Sequence, residues 1–156
     1  MPRSIDRNSV PPVNSLIAFA RDDALAVGAA REQAPKVLVV EDDFLVATEM
    51  EVALRDAGFV VTGVAASADE AIALAQSTAP DLAIVDIRLY GARDGVEAAL
   101  IMFRDHAIRC IFATAHADPV VRERAAPAVP LGWLQKPYTM SLLIDTVRQA
   151  LAQKQT

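Results

Sequence analysis

Several polar groups in this sequence directly follow short apolar runs at widely separated positions. They are Glu41 with Asp42 and Asp43, then Asp86, Thr114 and Lys136. Each run has the length and apolar content of a buried strand. Because the carboxyl ends of parallel strands share one edge of a sheet, these side chains would form one acidic pocket with a lysine and a hydroxyl. Hard carboxylate oxygens suit Mg²⁺, and a lysine with a hydroxyl suits a phosphoryl group.

Asp86 is the candidate nucleophile of this pocket. It ends an otherwise apolar run, where a carboxylate either forms a turn or takes part in chemistry. As a nucleophile it would accept a phosphoryl group and become an acyl phosphate. Such a transfer needs in-line positioning and charge neutralisation, which Lys136 and a metal would supply. A cis bond before Pro137 would aim Lys136 inward.

Each of these residues also has an ordinary explanation when it is taken alone. Acids after a strand often begin a helix, where they interact favourably with its dipole. A threonine at a strand end is usually a strand former or a cap, and a lone lysine is usually a surface residue. The prediction of a site therefore depends on the joint placement of these residues at strand ends.

Alternating strands and helices are predicted from residue 36 onward. The strands cover residues 37–40, 59–64, 81–85, 109–113 and 131–134. The helices cover residues 44–57, 67–77 and 95–105, a short segment within 119–126, and a last one that Thr139 caps and that runs to about residue 152. Gly58 suits a helix end, Ser67 and Glu70 have capping-box spacing, and Pro119 suits a first helical turn.

Five βα units with short links predict a flavodoxin-like, doubly wound α/β fold. The parallel sheet would have helices on both faces and the strand order 2-1-3-4-5. The switch point of that order lies between the first and third strands, which carry Asp42 and Asp86. Ligands of such sheets bind at the switch point, so the pattern itself locates the site.

Residues 1–35 form a separate N-terminal extension, and residues 36–156 form the main domain. Leu16, Phe19 or Ala20, Ala24 and Val27 recur at helical spacing, which predicts one amphipathic helix over residues 13–31 and a linker over 32–35. Two interpretations of this helix stay open. It packs on its own domain or frays, or it serves self-association or contact with a partner.

Composition limits the class of protein. A net charge of −5 and a pI of about 4.9 argue against a DNA-binding chain. No apolar run approaches the ~20 residues that span a bilayer, and the apolar stretch at 16–20 is too short for a signal-peptide core. The single cysteine, Cys110, lies in an apolar run and excludes an intrachain disulfide. We therefore expect a cytoplasmic protein without a membrane association.

From residue 36 to about 152, the chain resembles the receiver domain of bacterial two-component response regulators. The stretches that carry the resemblance are KVLVVEDDF, DLAIVDIRLYGARDG, IFATAHAD and GWLQKPY. The resemblance implies that Asp86 is the phosphoacceptor. It also implies a Mg²⁺ cofactor held by Asp42, Asp86 and the backbone carbonyl of Arg88, with Glu41 acting through water.

The resemblance assigns the phosphate-binding and switch roles to four further residues. Thr114 corresponds to the switch hydroxyl, Ala115 to the small residue whose N–H meets the phosphate, Lys136 to the phosphate lysine and Trp133 to the aromatic rotamer switch. The phrase FATAHAD is similar to an alphaproteobacterial receiver subgroup marked by FATG-Tyr, with Ala115 in place of its glycine.

Three features depart from the family pattern. The loop after Asp86 is one residue longer than usual and lacks the usual Met-Pro. Trp133 is bulkier than the common Tyr or Phe and donates only through its N–H. Prolines at 119, 127 and 130 shorten the fourth helix, which weakens the dimer face that the family builds on it, although a homodimer stays open.

The resulting expectation is a stand-alone receiver, because the last predicted helix reaches the end of the sequence. A sensor histidine kinase or phosphotransfer protein would phosphorylate Asp86, and the output would be protein–protein contact or a phosphate sink. The protein would catalyse only its own phosphorylation and dephosphorylation. One alternative is an unphosphorylated interaction module. Another, a phosphatase, is disfavoured because Arg88 stands where such enzymes usually carry a second Asp.

Overall fold

Continuous apolar runs form a five-stranded parallel sheet in the structure, a computed structural model that describes residues 34–155. The strands are β1 (Lys36–Val40), β2 (Val60–Ala65), β3 (Leu82–Asp86), β4 (Cys110–Thr114) and β5 (Gly132–Gln135). Their order is β2-β1-β3-β4-β5, which confirms the predicted topology. The helix predicted over residues 13–31 lies outside the described residues.

Helices follow the strands in regular alternation. They are α1 (Phe44–Asp56), α2 (Ala68–Thr78), α3 (Gly95–His106), α4 (Pro119–Ala125) with a 3-10 turn at Ala126–Ala128, and α5 (Met140–Lys154). Among residues 34–155, no helix is both long and apolar enough to cross a bilayer. α4 has only seven residues, as its flanking prolines predict.

Each α-helix begins at a polar residue whose side chain accepts a backbone N–H. The caps are Asp43, Ser67, Asp94, Asp118 and Thr139. The capping box predicted at α2 is incomplete, because Glu70 accepts from the N–H of Ala66 instead of Ser67. A complete box forms at α3, where Asp94 and Glu97 each accept the other's N–H.

The apolar core lies in two layers, one on each face of the sheet. Alternate residues of a strand point to opposite faces, so Leu82 and Ile84 of β3 join one layer while Ala83 and Val85 join the other. Residues of α1 and α5 cover the first layer, and residues of α2, α3 and α4 cover the second. All five residues of β3 are buried, which fixes the strand that ends in Asp86 at the centre of the molecule.

The carboxyl edge of the sheet brings the predicted site residues to one end of the domain. Asp86 and Thr114 are the last residues of their strands, one position later than predicted. The loop after β3 also approaches the sheet closely at Gly95, whose N–H donates to the Ile87 carbonyl at 2.8 Å. A Cβ on Gly95 would lie 2.0 Å from the backbone oxygen of Asp86, so only glycine fits there.

Candidate functional site

Lys136 joins two buried carboxylates at the carboxyl edge of the sheet. Its Nζ lies 3.0 Å from Oδ2 of Asp86 and 3.2 Å from Oε2 of Glu41. Glu41 is 3% exposed and Asp86 is 7% exposed. Charges buried to this degree need an opposite charge and hydrogen bonds, and Lys136 provides both to each acid.

Backbone contacts hold Lys136 at this position. The Lys136 N–H donates to the Thr114 carbonyl at 2.9 Å, which continues the pairing of β5 with β4 one residue past the strand. The Lys136–Pro137 peptide bond is cis. The hydrogen bond to Thr114 places the Lys136 backbone beside the end of β4, and the ammonium group reaches both acids from there.

Burial dominates the electrostatics of Glu41. It raises the pKa of this carboxyl to about 7, with a further upward effect from the charge of Asp86. The Asp43 N–H, which donates to Oε1 of Glu41 at 3.1 Å, and the Lys136 ammonium both oppose the rise. Burial alone would lower the pKa of Lys136, but its contacts with Asp86 and Glu41 outweigh that effect and raise it.

Three carboxylates form a donor set that suits a hard divalent cation. Glu41, Asp42 and Asp86 each offer one oxygen, and these oxygens all lie within 4.8 Å of one another. Mg²⁺ usually binds one or two carboxylates and completes its octahedron with waters and phosphate oxygens. The residues present therefore fit Mg²⁺, and Lys136 beside them limits the negative charge that the ion would have to neutralise.

Asp43 does not belong to this cluster, although the sequence groups it with the other two acids. Its Oδ1 accepts the N–H groups of Leu45 at 2.9 Å and Val46 at 3.2 Å as the N-cap of α1. The physical reason is local competition, because an Asp directly before a helix satisfies free N–H groups of the first turn. Of the three acids after β1, Glu41 and Asp42 thus belong to the cluster and Asp43 is a helix cap.

Both carboxylate oxygens of Asp86 have donors. Lys136 donates to Oδ2, and the N–H of Arg88 donates to Oδ1 at 3.1 Å in a tight turn after the strand. The loop then runs along a cleft of about 400 Å³, where Leu89 and Tyr90 face the acidic cluster. The Arg88 side chain is exposed, and the predicted role of its carbonyl as a metal ligand stays a prediction.

The Thr114 hydroxyl is buried and occupied by its own loop. It donates to the His116 carbonyl at 3.1 Å and accepts the His116 N–H at 3.2 Å. Ala115, between these two residues, is exposed. The structure thus brings Thr114 and Ala115 to the same sheet edge as Asp86, with the hydroxyl bonded to the loop that leads into α4.

Trp133 lies two strands away from Asp86 and contacts both an aromatic ring and a cation. Its ring centroid is 4.9 Å from that of Phe112 on β4. The guanidinium carbon of Arg122, on α4, is 4.6 Å from the centroid of the indole. The register explains the first contact, because Phe112 and Trp133 are paired positions of β4 and β5. The indole is half-buried.

Sequence reasoning missed two residues that shape this region. Gly95 begins α3, where stronger helix formers are favoured, and that mismatch was a usable signal of close backbone approach. Arg122 gave no signal, because an arginine on a short exposed helix is ordinarily a solvated residue.

Residues 37–148 match the family model described as the response regulator receiver domain. Among curated proteins, the transcriptional regulatory protein PdtaR of Mycobacterium tuberculosis is 32% identical over 117 residues, which cover 75% of this chain and 57% of that protein. The phyllosphere-induced regulator PhyR of Methylorubrum extorquens is 30% identical over 124 residues, which cover 78% and 45%. The chain spans about half the length of these curated relatives.

The fold comparison agrees with the family model. The signal receiver domain of a modulated diguanylate cyclase from Desulfovibrio desulfuricans G20 has a TM-score of 0.73 and 36% identity, over 79% of this chain and 98% of that one. The similarity to the FATG-Tyr subgroup stays a prediction. Because the family model covers most of the chain and the sheet order is the one the resemblance implies, the chain belongs to the response regulator receiver domain family.

Proposed function

We propose that Asp86 accepts a phosphoryl group from a phosphohistidine of a sensor histidine kinase or a phosphotransfer protein, in a Mg²⁺-dependent reaction. The observation that carries the proposal is the arrangement around Lys136, whose Nζ contacts both Asp86 and the buried Glu41 beside a third carboxylate, Asp42. A structural ion pair would need one acid, whereas a phosphoryl and metal site needs several acids and a cation together.

In the proposed reaction, an Asp86 carboxylate oxygen attacks the phosphorus in line with the donor imidazole. The bond between the imidazole nitrogen and phosphorus breaks as the acyl phosphate forms, and the leaving imidazole takes up a proton from solvent. Lys136 neutralises charge on the phosphoryl oxygens, and the Arg88 N–H orients the carboxylate. When bound by Asp42, Asp86, the Arg88 carbonyl and, through water, Glu41, Mg²⁺ supplies further charge neutralisation.

The proposed roles of Thr114, Ala115 and Trp133 require a rearrangement. For Thr114 to donate to a phosphoryl oxygen, its hydroxyl has to leave the His116 carbonyl that it contacts at 3.1 Å. The N–H of Ala115, an exposed residue, would then meet the phosphoryl group. Trp133 would respond as the aromatic member of the switch, and output would follow as protein–protein contact or as withdrawal of phosphate from a shared kinase.

An exposed apolar pair beside the cleft supports contact with a protein donor. Phe44 is 78% exposed and Leu45 is 76% exposed, at the first turn of α1 directly after the cap Asp43. Large apolar side chains at such exposure commonly mark contact surfaces. Phe44→Ala with Leu45→Ala should slow transfer from a phosphorylated protein but leave labelling by a small donor such as acetyl phosphate unchanged. Equal loss with both donors would contradict this docking role.

The decisive test of the proposed function is labelling of the Asp86→Asn variant. Panels of autophosphorylated histidine kinases and phosphotransfer proteins are incubated with the wild type and with the variant, with Mg²⁺ or with EDTA. We expect transfer to the wild type only with Mg²⁺ and no transfer to Asp86→Asn. Asp145→Asn, at an exposed position on α5, is the matched control and should label normally.

Undiminished labelling of Asp86→Asn would overturn the assignment of the phosphoacceptor. Failure of the wild type to bind beryllofluoride with Mg²⁺ would favour the unphosphorylated interaction module. The expectation that the domain acts without an output domain stays a prediction.

A further inference from the structure

Arg122 makes two contacts that together join a loop to an aromatic ring. Its guanidinium lies over the indole of Trp133, with its carbon 4.6 Å from the ring centroid, and its Nε donates to the Ala117 carbonyl at 3.2 Å. The planar guanidinium can stack on a ring and donate in its plane at the same time, which a lysine ammonium cannot. One side chain therefore contacts both the β4–α4 loop, residues 115–118, and strand β5.

Arg122 and Thr114 contact the same loop, Arg122 at Ala117 and Thr114 at His116. The Thr114 hydroxyl bonds both the N–H and the carbonyl of His116, and Ala117 is the next residue. A continuous series of contacts thus runs from the Thr114 hydroxyl through the backbone of residues 116–117 and the Arg122 side chain to the indole. If the Thr114 hydroxyl left His116, the Ala117 carbonyl that accepts from Arg122 would shift with the loop.

The rest of α4 is held separately. Arg124, two residues farther along the helix, contacts the α3 cap Asp94 with 2.5 Å between Nη2 and Oδ2. Asp118 caps the start of α4 by accepting the N–H of Val121 at 2.9 Å. Because these contacts do not involve Thr114 or Trp133, a shift of residues 115–117 can reach the indole without unfolding the helix.

We propose that Arg122 is a positioning residue that couples the Thr114 loop to Trp133, so that the indole responds to occupation of the Asp86 site only through this guanidinium. The inference rests on the proposed function and specifies its regulation. In the family resemblance the aromatic side chain itself is the mobile element. Here the indole contacts Phe112 and has Arg122 over its ring, and the element that moves is the arginine.

The single tryptophan of the chain makes the proposal directly measurable, because all tryptophan fluorescence reports on Trp133. The experiment uses the full chain as the wild type, Arg122→Ala, Arg122→Lys and Arg124→Ala. Emission spectra and acrylamide quenching are recorded before and after beryllofluoride with Mg²⁺, a stable mimic of the phosphoryl group. Isothermal titration calorimetry with the same probe reports binding independently of the indole.

We expect all four proteins to bind the probe with similar affinity. The wild type and Arg124→Ala should show a change in emission and quenching on binding. Arg122→Ala should show roughly twofold greater quenching before binding, since one ring face loses its cation, and little further change afterwards. Arg122→Lys should recover less than half of the wild-type response, because it keeps the charge but loses the planar donor.

Three results at Arg122 or Trp133 would overturn the coupling, and a fourth concerns Arg124. The first three are a wild-type response in Arg122→Ala, full recovery in Arg122→Lys, and binding to the wild type without any change at Trp133. An equal loss in Arg124→Ala would assign the effect to α4 as a whole and would also overturn it. Absence of probe binding to the wild type is a different outcome, which overturns the proposed function and the coupling with it.

Discussion

The two sides of the candidate site are held together by different kinds of contact. On the acidic side, Lys136 bonds residues 50 and 95 positions away in sequence, and both acids are buried. On the Thr114 side, the contacts are local. Thr114 bonds a residue two positions away and Arg122 bonds one five positions away. Both of these local contacts end on the loop that precedes the seven-residue helix α4.

This difference predicts a preorganised region on the acidic side and an adjustable one on the Thr114 side. Moving Lys136 would leave buried carboxylates without their cation, which should cost about 1–3 kcal/mol for a lysine that is itself partly exposed. Moving Thr114 or Arg122 exchanges the two hydrogen bonds between Thr114 and His116, one hydrogen bond of Arg122 and a cation–π contact, each worth roughly 1 kcal/mol. A site that binds charge on one side and changes shape on the other needs this division, because only weak local contacts can shift in response to one ligand.

The largest expected effect tests how strictly the backbone fixes the acidic side. Gly95→Ala would put a Cβ 2.0 Å from the Asp86 carbonyl oxygen, so the loop or the strand end must move. We expect a loss of roughly 3 kcal/mol or more in the free energy of unfolding, measured by urea denaturation. Gly91→Ala is the matched control in the same loop. It has open space around it but a φ of +111°, so it should lose only about 1 kcal/mol. Equal losses would show that the close approach at Gly95 does not matter.

A second prediction concerns the cation that joins the acids. Lys136→Met leaves Glu41 and Asp86 facing each other without it, and we expect a loss of about 1–3 kcal/mol in urea denaturation at pH 8. Addition of Glu41→Gln should recover part of that loss, because it removes one of the two facing charges. A double variant no more stable than Lys136→Met would argue against the repulsion.

The third prediction uses the raised pKa of Glu41. Burial raises it from 4.5 to about 7, so between these values the folded state holds a proton that the unfolded state releases. Stability from this group is therefore complete below about pH 4.5 and is lost as the pH rises through 7. At 1.36 kcal/mol per pH unit, the unfolding free energy in EDTA should fall by about 2–3 kcal/mol from pH 5 to pH 8.

Two variants separate Glu41 from other groups in that pH profile. Glu41→Gln should flatten the fall, because the amide does not titrate in this range. Glu123→Gln, at an exposed position on α4, is the control and should keep the wild-type slope. A Glu41→Gln profile as steep as the wild type would assign the pH dependence to another residue.

The acidic side was predictable from sequence, because it depends only on topology. Strand ends of a parallel sheet lie at one edge, which brings Glu41, Asp86 and Lys136 close enough for their side chains to make contact. Asp43 lines the same cleft, but it is not one of the three clustered carboxylates, because its side chain accepts N–H groups of the first turn of α1. The contact between Arg122 and Trp133 was not predictable, since it depends on the rotamers of two long side chains and on the docking of a short helix.

The smallest expected effect is on the Thr114 side. It tests most directly whether this side is less rigid than the acidic side. Thr114→Val keeps the shape and removes the hydroxyl that bonds the His116 backbone. His116 is exposed, so water can replace the lost partner, and we expect a loss of only about 0.5–1 kcal/mol in urea denaturation. Thr114→Ser, which keeps the hydroxyl, is the control and should retain the beryllofluoride response of Trp133 that Thr114→Val loses. If Thr114→Val were as destabilising as Lys136→Met, both sides would be equally rigid, and the adjustable element would have to be sought outside the β4–α4 loop.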